Sequence, residues 1–232
     1  MELGNYFRYV EGIEREIVDK KLDSLVMGLG PTAWLVPWLD RKILSGCRIW
    51  GAHDINRIYP VDDLVIMDSP HQSPRLKFGT EALKYCLEAR PKRLWLYKGN
   101  AKTWRTLLHK PMESVTEQVD YLVHQNPKFA KDEERPTKFM LEWHRPMTGL
   151  VSPVGVTTLA WREGCRRIGI LGVEMDNDHG THGYRKQVDA WFVELAQQAH
   201  EKGGVICNLS PVSLLSHFRN WQPGEKPEEA KT

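Results

Sequence analysis

The chain has 232 residues, 41% hydrophobic and 27% charged, enough for one sizeable core. Its net charge of +2 is too even to demand a nucleic-acid partner, although a local basic face stays open. No stretch is apolar for long enough to span a bilayer, and the start of the chain lacks the basic-then-apolar order of a signal peptide, so a cytoplasmic setting is expected.

In chain order, the first pattern is a helix: Phe7, Val10, Ile13 and Ile17 recur at helical spacing. "SLVMGLG" (24–30) reads as a buried strand ending in glycines. "TAWLVPWLDRKIL" (32–44) reads as a helix broken near Pro37. "CRIWGAH" (47–53) and "DLVIMDSP" (63–70) are the second and third strands. "TEALKYCLEAR" (80–90) is a helix stopped by Pro91, and "RLWLYKG" (93–99) a fourth strand. "SVTEQVDYLVHQ" (114–125) carries a capping box, Ser114 with Glu117, and predicts a helix.

The stretch 124–148 is irregular and rich in Lys, Arg, His and Pro. It is either a lid or a solvated connection, and "FMLEW" (139–143) within it has the character of a fifth strand. "VGVTTLAWREG" (154–164) is a short helix closed by Gly164, and "RIGILGVEM" (167–175) a strand. "YRKQVDAWFVELAQQAHEKGG" (184–204) is a helix with Val188, Trp191, Phe192, Leu195 and Ala199 on one face. "VICNLS" (205–210) is the last strand, and the polar tail 222–232 is expected to be disordered.

Strands apolar throughout, alternating with helices, predict an α/β fold. It is a Rossmann-like three-layer sandwich, with a mostly parallel sheet of about six or seven strands and helices on both faces, forming a single domain over residues 1–221. Cys47, Cys86, Cys165 and Cys207 have no zinc spacing and read as buried thiols of a reducing compartment. The nine tryptophans serve either packing or stacking on a planar ligand. Sheets of this kind bind ligands beyond the carboxyl ends of their strands, and the polar outliers fall there.

Gly28 and Gly30 in "GLGPTAW" let a backbone approach a ligand, and Thr32 adds a hydroxyl to a helix start suited to phosphate. The same turn without a ligand is the plain alternative. His53 and Asn56 follow the second strand, and Asp68 and His71 the third. They suit ribose or base contacts, or ordinary turns. Ser152, Gly155 and Thr157 offer donors at another helix start.

Glu174, Asp176 and Asp178 follow the strand "IGILGV", with His179 and His182 close behind. The carboxylates are candidate ligands for Mg²⁺ carrying a nucleotide diphosphate. A histidine of this loop, or His53 or His71, is a candidate general base. Zinc held by "HGTH" and a polar loop without chemistry are the other readings. Tyr184 and Arg185 open the following helix on the substrate side, Arg185 toward a leaving phosphate. "RPKRLWLYKGNAKTWRTLLHK" (90–110) interleaves seven Lys/Arg with Trp95, Tyr97 and Trp104. It is either a nucleic-acid surface or the solvated ends of a buried strand.

In order and spacing, several segments resemble motifs of one superfamily of nucleotide-dependent transferases. "GLGPT" resembles its "G-x-G-P-S" opening and "PVDDLVIMDSP" its "P-x-D-y-x-x-x-x-D" segment. "SPVGVTTLAWREGCRRIGILGVEMD" is similar to its small-residue helix and following strand, and "GVICNLSPVSLLSHF" to its closing strand and turn. The superfamily includes bacterial CMP-sugar sialyltransferases and archaeal 6-hydroxymethylpterin diphosphokinase-like proteins. The resemblance covers roughly residues 24–75 and 148–218. It implies a nucleotide across the strand ends, with Gly28, Gly30 and Thr32 facing phosphates, Asp68 in the nucleotide or acceptor pocket, and Ser152 and Gly155 lining the nucleotide site. Leu29 stands where the sialyltransferases often carry asparagine, and Glu174 where aspartate is usual.

The expected function is therefore glycosyl transfer from a nucleotide-linked donor. The alternatives are Mg²⁺-dependent pyrophosphoryl transfer to a small alcohol, and nucleic-acid binding or modification, in which nucleic acid could itself be the acceptor.

Overall fold

The computed structural model describes residues 3–52, 55–66, 91–97, 121–122, 152–175 and 182–223. Seven strands form one sheet: β1 (Ser24–Met27), β2 (Arg48–Ala52), β3 (Asp63–Ile66), β4 (Arg93–Tyr97), β5 (Tyr121–Leu122), β6 (Arg167–Leu171) and β7 (Val205–Asn208). Their order is β5-β4-β3-β2-β1-β6-β7. Every pairing is parallel, with Leu25 of β1 in register with Ile49 on one side and Gly169 on the other. The α/β, Rossmann-like layout read from the sequence is the one observed.

Successive side chains of a strand point to opposite faces, and the two faces hold two cores. Val26, Trp50, Val65 and Trp95 pack beneath α3 (Ser152–Arg162) and α4 (His182–Glu201). Leu25, Met27, Ile49, Leu64 and Leu94 pack against α1 (Leu3–Asp19) and the 3-10 segment Pro31–Trp38. All four residues of β1 are buried, as a central strand covered on both faces requires. Val188, Phe192, Leu195 and Ala199 of α4 are buried on the face that the sequence predicts. Gly164 follows α3 in the left-handed region, at φ 97°. Among the described residues no helix is long and apolar enough to cross a membrane.

Two local readings change. Tyr121 and Leu122, expected in a helix, pair with Leu96 and Tyr97 as strand β5. Helical periodicity is a local signal, and an edge pairing supplied from elsewhere in the chain overrides it at these two residues. The segment 32–44 is interrupted near Pro37, as the sequence indicates: the 3-10 stretch contains Pro37 and ends at Trp38, and α2 (Arg41–Leu44) restarts with Asp40 accepting from the Lys42 N–H. Phe7 is 62% exposed, whereas Val10, Ile13 and Ile17 are buried. Two successive three-residue steps carry Phe7 about 120° around the helix from Ile13. The helix read over 80–90, the strand read over 139–143 and the segment 124–148 lie outside the described residues, as does most of the tail.

A charged knot closes the amino edge of the sheet. Asp63, 1% exposed, takes a two-pronged bond from Arg48, with Nε at 2.6 Å and Nη2 at 2.8 Å, and a third bond from Trp95 Nε1 at 2.9 Å. The Arg48 guanidinium also lies 4.4 Å from the centre of the Trp50 ring. Asp63→Ala leaves the guanidinium and the indole without their acceptor and is expected to cost about 3 kcal/mol of unfolding free energy. Lys92→Ala removes an ion pair to Asp62 whose lysine is 80% exposed, and is expected to cost less than about 1 kcal/mol. Urea unfolding followed by circular dichroism measures both, and equal losses would contradict this assignment.

Candidate functional site

Strand order reverses at β1. From it the sheet grows through β2 to β5 on one side, while β6 and β7 are added on the other. Connections leaving β1 and β6 therefore diverge, and in sheets of this layout the ligand crevice lies at that point, beyond the carboxyl ends. Two segments meet there: Gly28–Thr32 after β1, and Gly172–Met175 after β6.

They meet backbone to backbone. The Gly28 N–H donates to Leu171 O and the Gly30 N–H to Gly172 O, each at 2.8 Å. A Cβ on Gly28 would overlap the Gly172 carbonyl oxygen, and one on Gly30 the Glu174 carboxylate. Gly172 itself has φ 75°, and a Cβ there would meet Gly28 O. The glycines thus serve the close approach of two strand ends, a demand that stands beside the ligand cradle read from the sequence.

Beneath the turn lies a polar knot. Thr32, fully buried, donates its hydroxyl proton to Glu174 Oε1 and accepts the Gly172 N–H at 3.0 Å. Glu174 is 1% exposed, and its Oε2 has no hydrogen-bond partner among the described residues. The structure therefore gives Thr32 a partner other than a phosphate. It also gives Glu174 a setting unlike that of an open Mg²⁺ ligand, since a cation would have to displace the Thr32 hydroxyl or move Gly30. Among the described residues no three His, Cys, Asp or Glu side chains gather to hold a metal. Leu29, 46% exposed, is the outward-facing side chain of the turn.

The loop after β7 clamps the same corner. Ser213 Oγ donates to Val173 O at 3.0 Å, and the Leu214 N–H to Glu174 O at 3.0 Å. α3 runs from the carboxyl edge toward the start of β6, so Ser152 stands at the crevice end of that helix, and no acidic residue lies in its first turn. Gly155 is buried in it and accepts from Thr158 Oγ1 at 2.8 Å. Thr157 turns its hydroxyl back to Pro153 O at 2.7 Å, so it is not an outward donor. α4 begins at His182 and carries Tyr184 and a half-buried Arg185 in its first turn, again with no acidic residue there.

Asn56 has a role within the fold: its Oδ1 accepts the Val61 N–H at 3.0 Å and shapes the loop between β2 and β3. His53, Asp68, His71, Asp176, Asp178 and His179 lie outside the described residues. In the basic segment, Trp95 is 1% exposed, Arg93 pairs with Glu163 at 2.7 Å, and Lys92 pairs with Asp62 at 2.7 Å. Residues 91–95 are thus the paired end of a core strand rather than a stacking surface.

A cleft of about 470 Å³ opens at the amino edge, lined by Asp23, Cys47, Arg48, Asp62, Asp63, Lys92 and other residues. Its Arg48 and Lys92 are bound to Asp63 and Asp62, which leaves little charge for a ligand. Burial pushes the Cys47 thiol up to about 11 and the Cys207 thiol up to about 12, and it raises Cys165 as well. None of these three is primed as a nucleophile near neutral pH.

The sequence reading missed one pair: Asp189 in α4 bonds His217 Nδ1 at 2.8 Å, where α5 (Ser216–Asn220) begins. The two are 28 positions apart, and Asp189 has the look of a solvent-face residue beside Val188. The available signal was an acidic residue flanking the buried stripe of a secure helix.

The fold and this crevice define an α/β protein with a Rossmann-like parallel sheet. Comparison with family models, with curated proteins and with solved structures returns no match.

Thr32→Val keeps the shape but strands the Gly172 N–H and the Glu174 carboxylate. It is expected to lower unfolding free energy by about 3 kcal/mol, with Thr32→Ser recovering most of the loss. Equilibrium urea unfolding of the two variants checks this, and a Val variant within about 0.5 kcal/mol of the parent would show that the knot contributes little.

Proposed function

We propose that this chain is a nucleotide-dependent transferase that moves a sugar from a nucleotide-sugar to an acceptor hydroxyl. One observation carries the reading. The two segments that resemble nucleotide motifs, Gly28–Thr32 and Gly172–Met175, lie 142 positions apart at Thr32 and Glu174, yet they are in direct contact at the point where strand order reverses. That is where parallel sheets of this layout bind nucleotides.

Electrostatics supports a particular orientation. The Gly28 and Gly30 N–H groups and the Thr32 hydroxyl are spent on Leu171, Gly172 and Glu174, so the β1 turn keeps few donors for phosphate and the nucleoside lies over Leu29 and Gly30. The phosphates then fall at the start of α3, near Ser152 and Gly155, where free N–H groups and the helix dipole favour anions. Arg185 at the start of α4 supplies a cation for the leaving phosphate. A histidine accepts the proton of the attacking hydroxyl, and the anomeric C–O bond breaks with its electron pair leaving on the nucleotide. Mg²⁺-dependent pyrophosphoryl transfer fits less well, because Glu174 is bound to Thr32 and covered.

Isothermal titration with a panel of nucleotides and nucleotide-sugars tests the proposal. One base is expected to bind in the micromolar range, with affinity unchanged when EDTA replaces Mg²⁺. Absence of binding across the panel would overturn the reading, and an absolute Mg²⁺ requirement would favour pyrophosphoryl transfer.

A further inference from the structure

The His217 imidazole is 69% exposed, yet one of its nitrogens is fixed: Nδ1 lies 2.8 Å from Asp189 Oδ2. Asp189 is 4% exposed. The same carboxylate accepts the His217 backbone N–H at 3.1 Å and the Phe218 N–H at 2.8 Å. Phe218 stacks on Phe192 with ring centres 4.8 Å apart and planes 14° apart, which locks α5 onto α4. The two backbone bonds suffice to cap α5. The bond to the ring does something that a cap does not require. An ionised carboxylate only accepts, so in the neutral ring Nδ1 carries the hydrogen, and Nε2, on the far side of the ring, is left as an acceptor.

The pair is also tied to the crevice. Leu214, three residues before His217, donates its N–H to the Glu174 carbonyl at 3.0 Å. α5 therefore starts from the loop that clamps the end of β6.

We propose that His217 is the general base of the transfer reaction and that Asp189 is its positioning residue, an inference that rests on the transferase reading above. Nε2 takes the proton of the acceptor hydroxyl as that oxygen bonds to the anomeric carbon. The bond from the anomeric carbon to phosphate breaks, and its electron pair leaves with the nucleotide. Asp189 fixes the tautomer and stabilises the imidazolium that forms.

Diethyl pyrocarbonate is the probe. Unprotonated imidazole nitrogen attacks its carbonyl, the ring becomes carbethoxylated, and ethanol and carbon dioxide leave. Peptide mass mapping near neutral pH is expected to show His217 reacting at least about tenfold faster than His200, which is also exposed. Nitrogen-15 spectra of the unmodified protein are expected to show the Nδ1–H tautomer. In folded Asp189→Ala the ring loses the acceptor that holds its hydrogen on Nδ1, and the His217 rate is expected to fall about tenfold, to near that of His200. A residue that only caps α5 would lower the melting temperature of that variant and leave the rate unchanged. That result, or an Nε2–H tautomer in the parent protein, overturns the proposal.

With the nucleotide-sugar selected by calorimetry, His217→Gln is expected to lower kcat at least about tenfold with KM held. Full turnover in that variant also overturns the proposal. If no nucleotide binds while the tautomer and rates hold, the transferase reading fails and the poised imidazole stands. If a nucleotide binds and the tautomer is reversed, the base assignment fails alone.

Discussion

The contact between Thr32 and Glu174 is the constraint around which the carboxyl edge is built. β1 and β6 are neighbours in the sheet, but a parallel pairing alone would let the chains beyond their ends splay apart. The Thr32 hydroxyl bridges the Glu174 carboxylate and the Gly172 N–H, and the Gly28 and Gly30 N–H groups extend the ladder past the last strand residues. That close approach excludes side chains at Gly28, Gly30 and Gly172. It also fixes the loop after β7, whose Ser213 and Leu214 bind the carbonyls of Val173 and Glu174. A burial this complete sets the electrostatic character of the crevice: a carboxylate below the turn, and helix starts without acidic residues beside it.

Charge pairing holds the amino edge of the sheet. At the amino edge, Asp63 is saturated by Arg48 and Trp95, and Lys92 and Arg93 are paired with Asp62 and Glu163. Charges there neutralise one another and hold strand starts together. Buried polar atoms without partners among the described residues occur at both edges: Glu174 Oε2, Asn208 Nδ2 and Ser210 Oγ at the carboxyl edge, and Asp23 Oδ1 and Ser24 Oγ at the start of β1. Unpaired buried polar atoms are costly, and proteins keep them mostly where function requires it. These atoms do not choose between the edges; the reversal of strand order at β1 points to the carboxyl edge, while the cleft of about 470 Å³ lies at the other.

The sheet and the two helices that follow the crevice were legible because their signals are local and repeated. Runs such as "LVM" and "IGIL" are apolar throughout, and the buried stripe of α4 recurs from Val188 to Ala199. What was illegible depends on partners far along the chain. Nothing local tells that Thr32 spends its hydroxyl on a residue 142 positions later, so glycines and threonine read as a ligand cradle. Tyr121 and Leu122 look helical until β4 supplies a strand to pair with. His217 acquires its meaning only from Asp189, on another helix.

The central claim is that a nucleotide lies across the ends of β1 and β6, and a crystal structure with the tightest-binding nucleotide tests it most directly. The account expects the nucleoside against Leu29 and Gly30 and the phosphates at the start of α3, near Ser152. A nucleotide seated instead in the amino-edge cleft between Asp23 and Arg93 would contradict it.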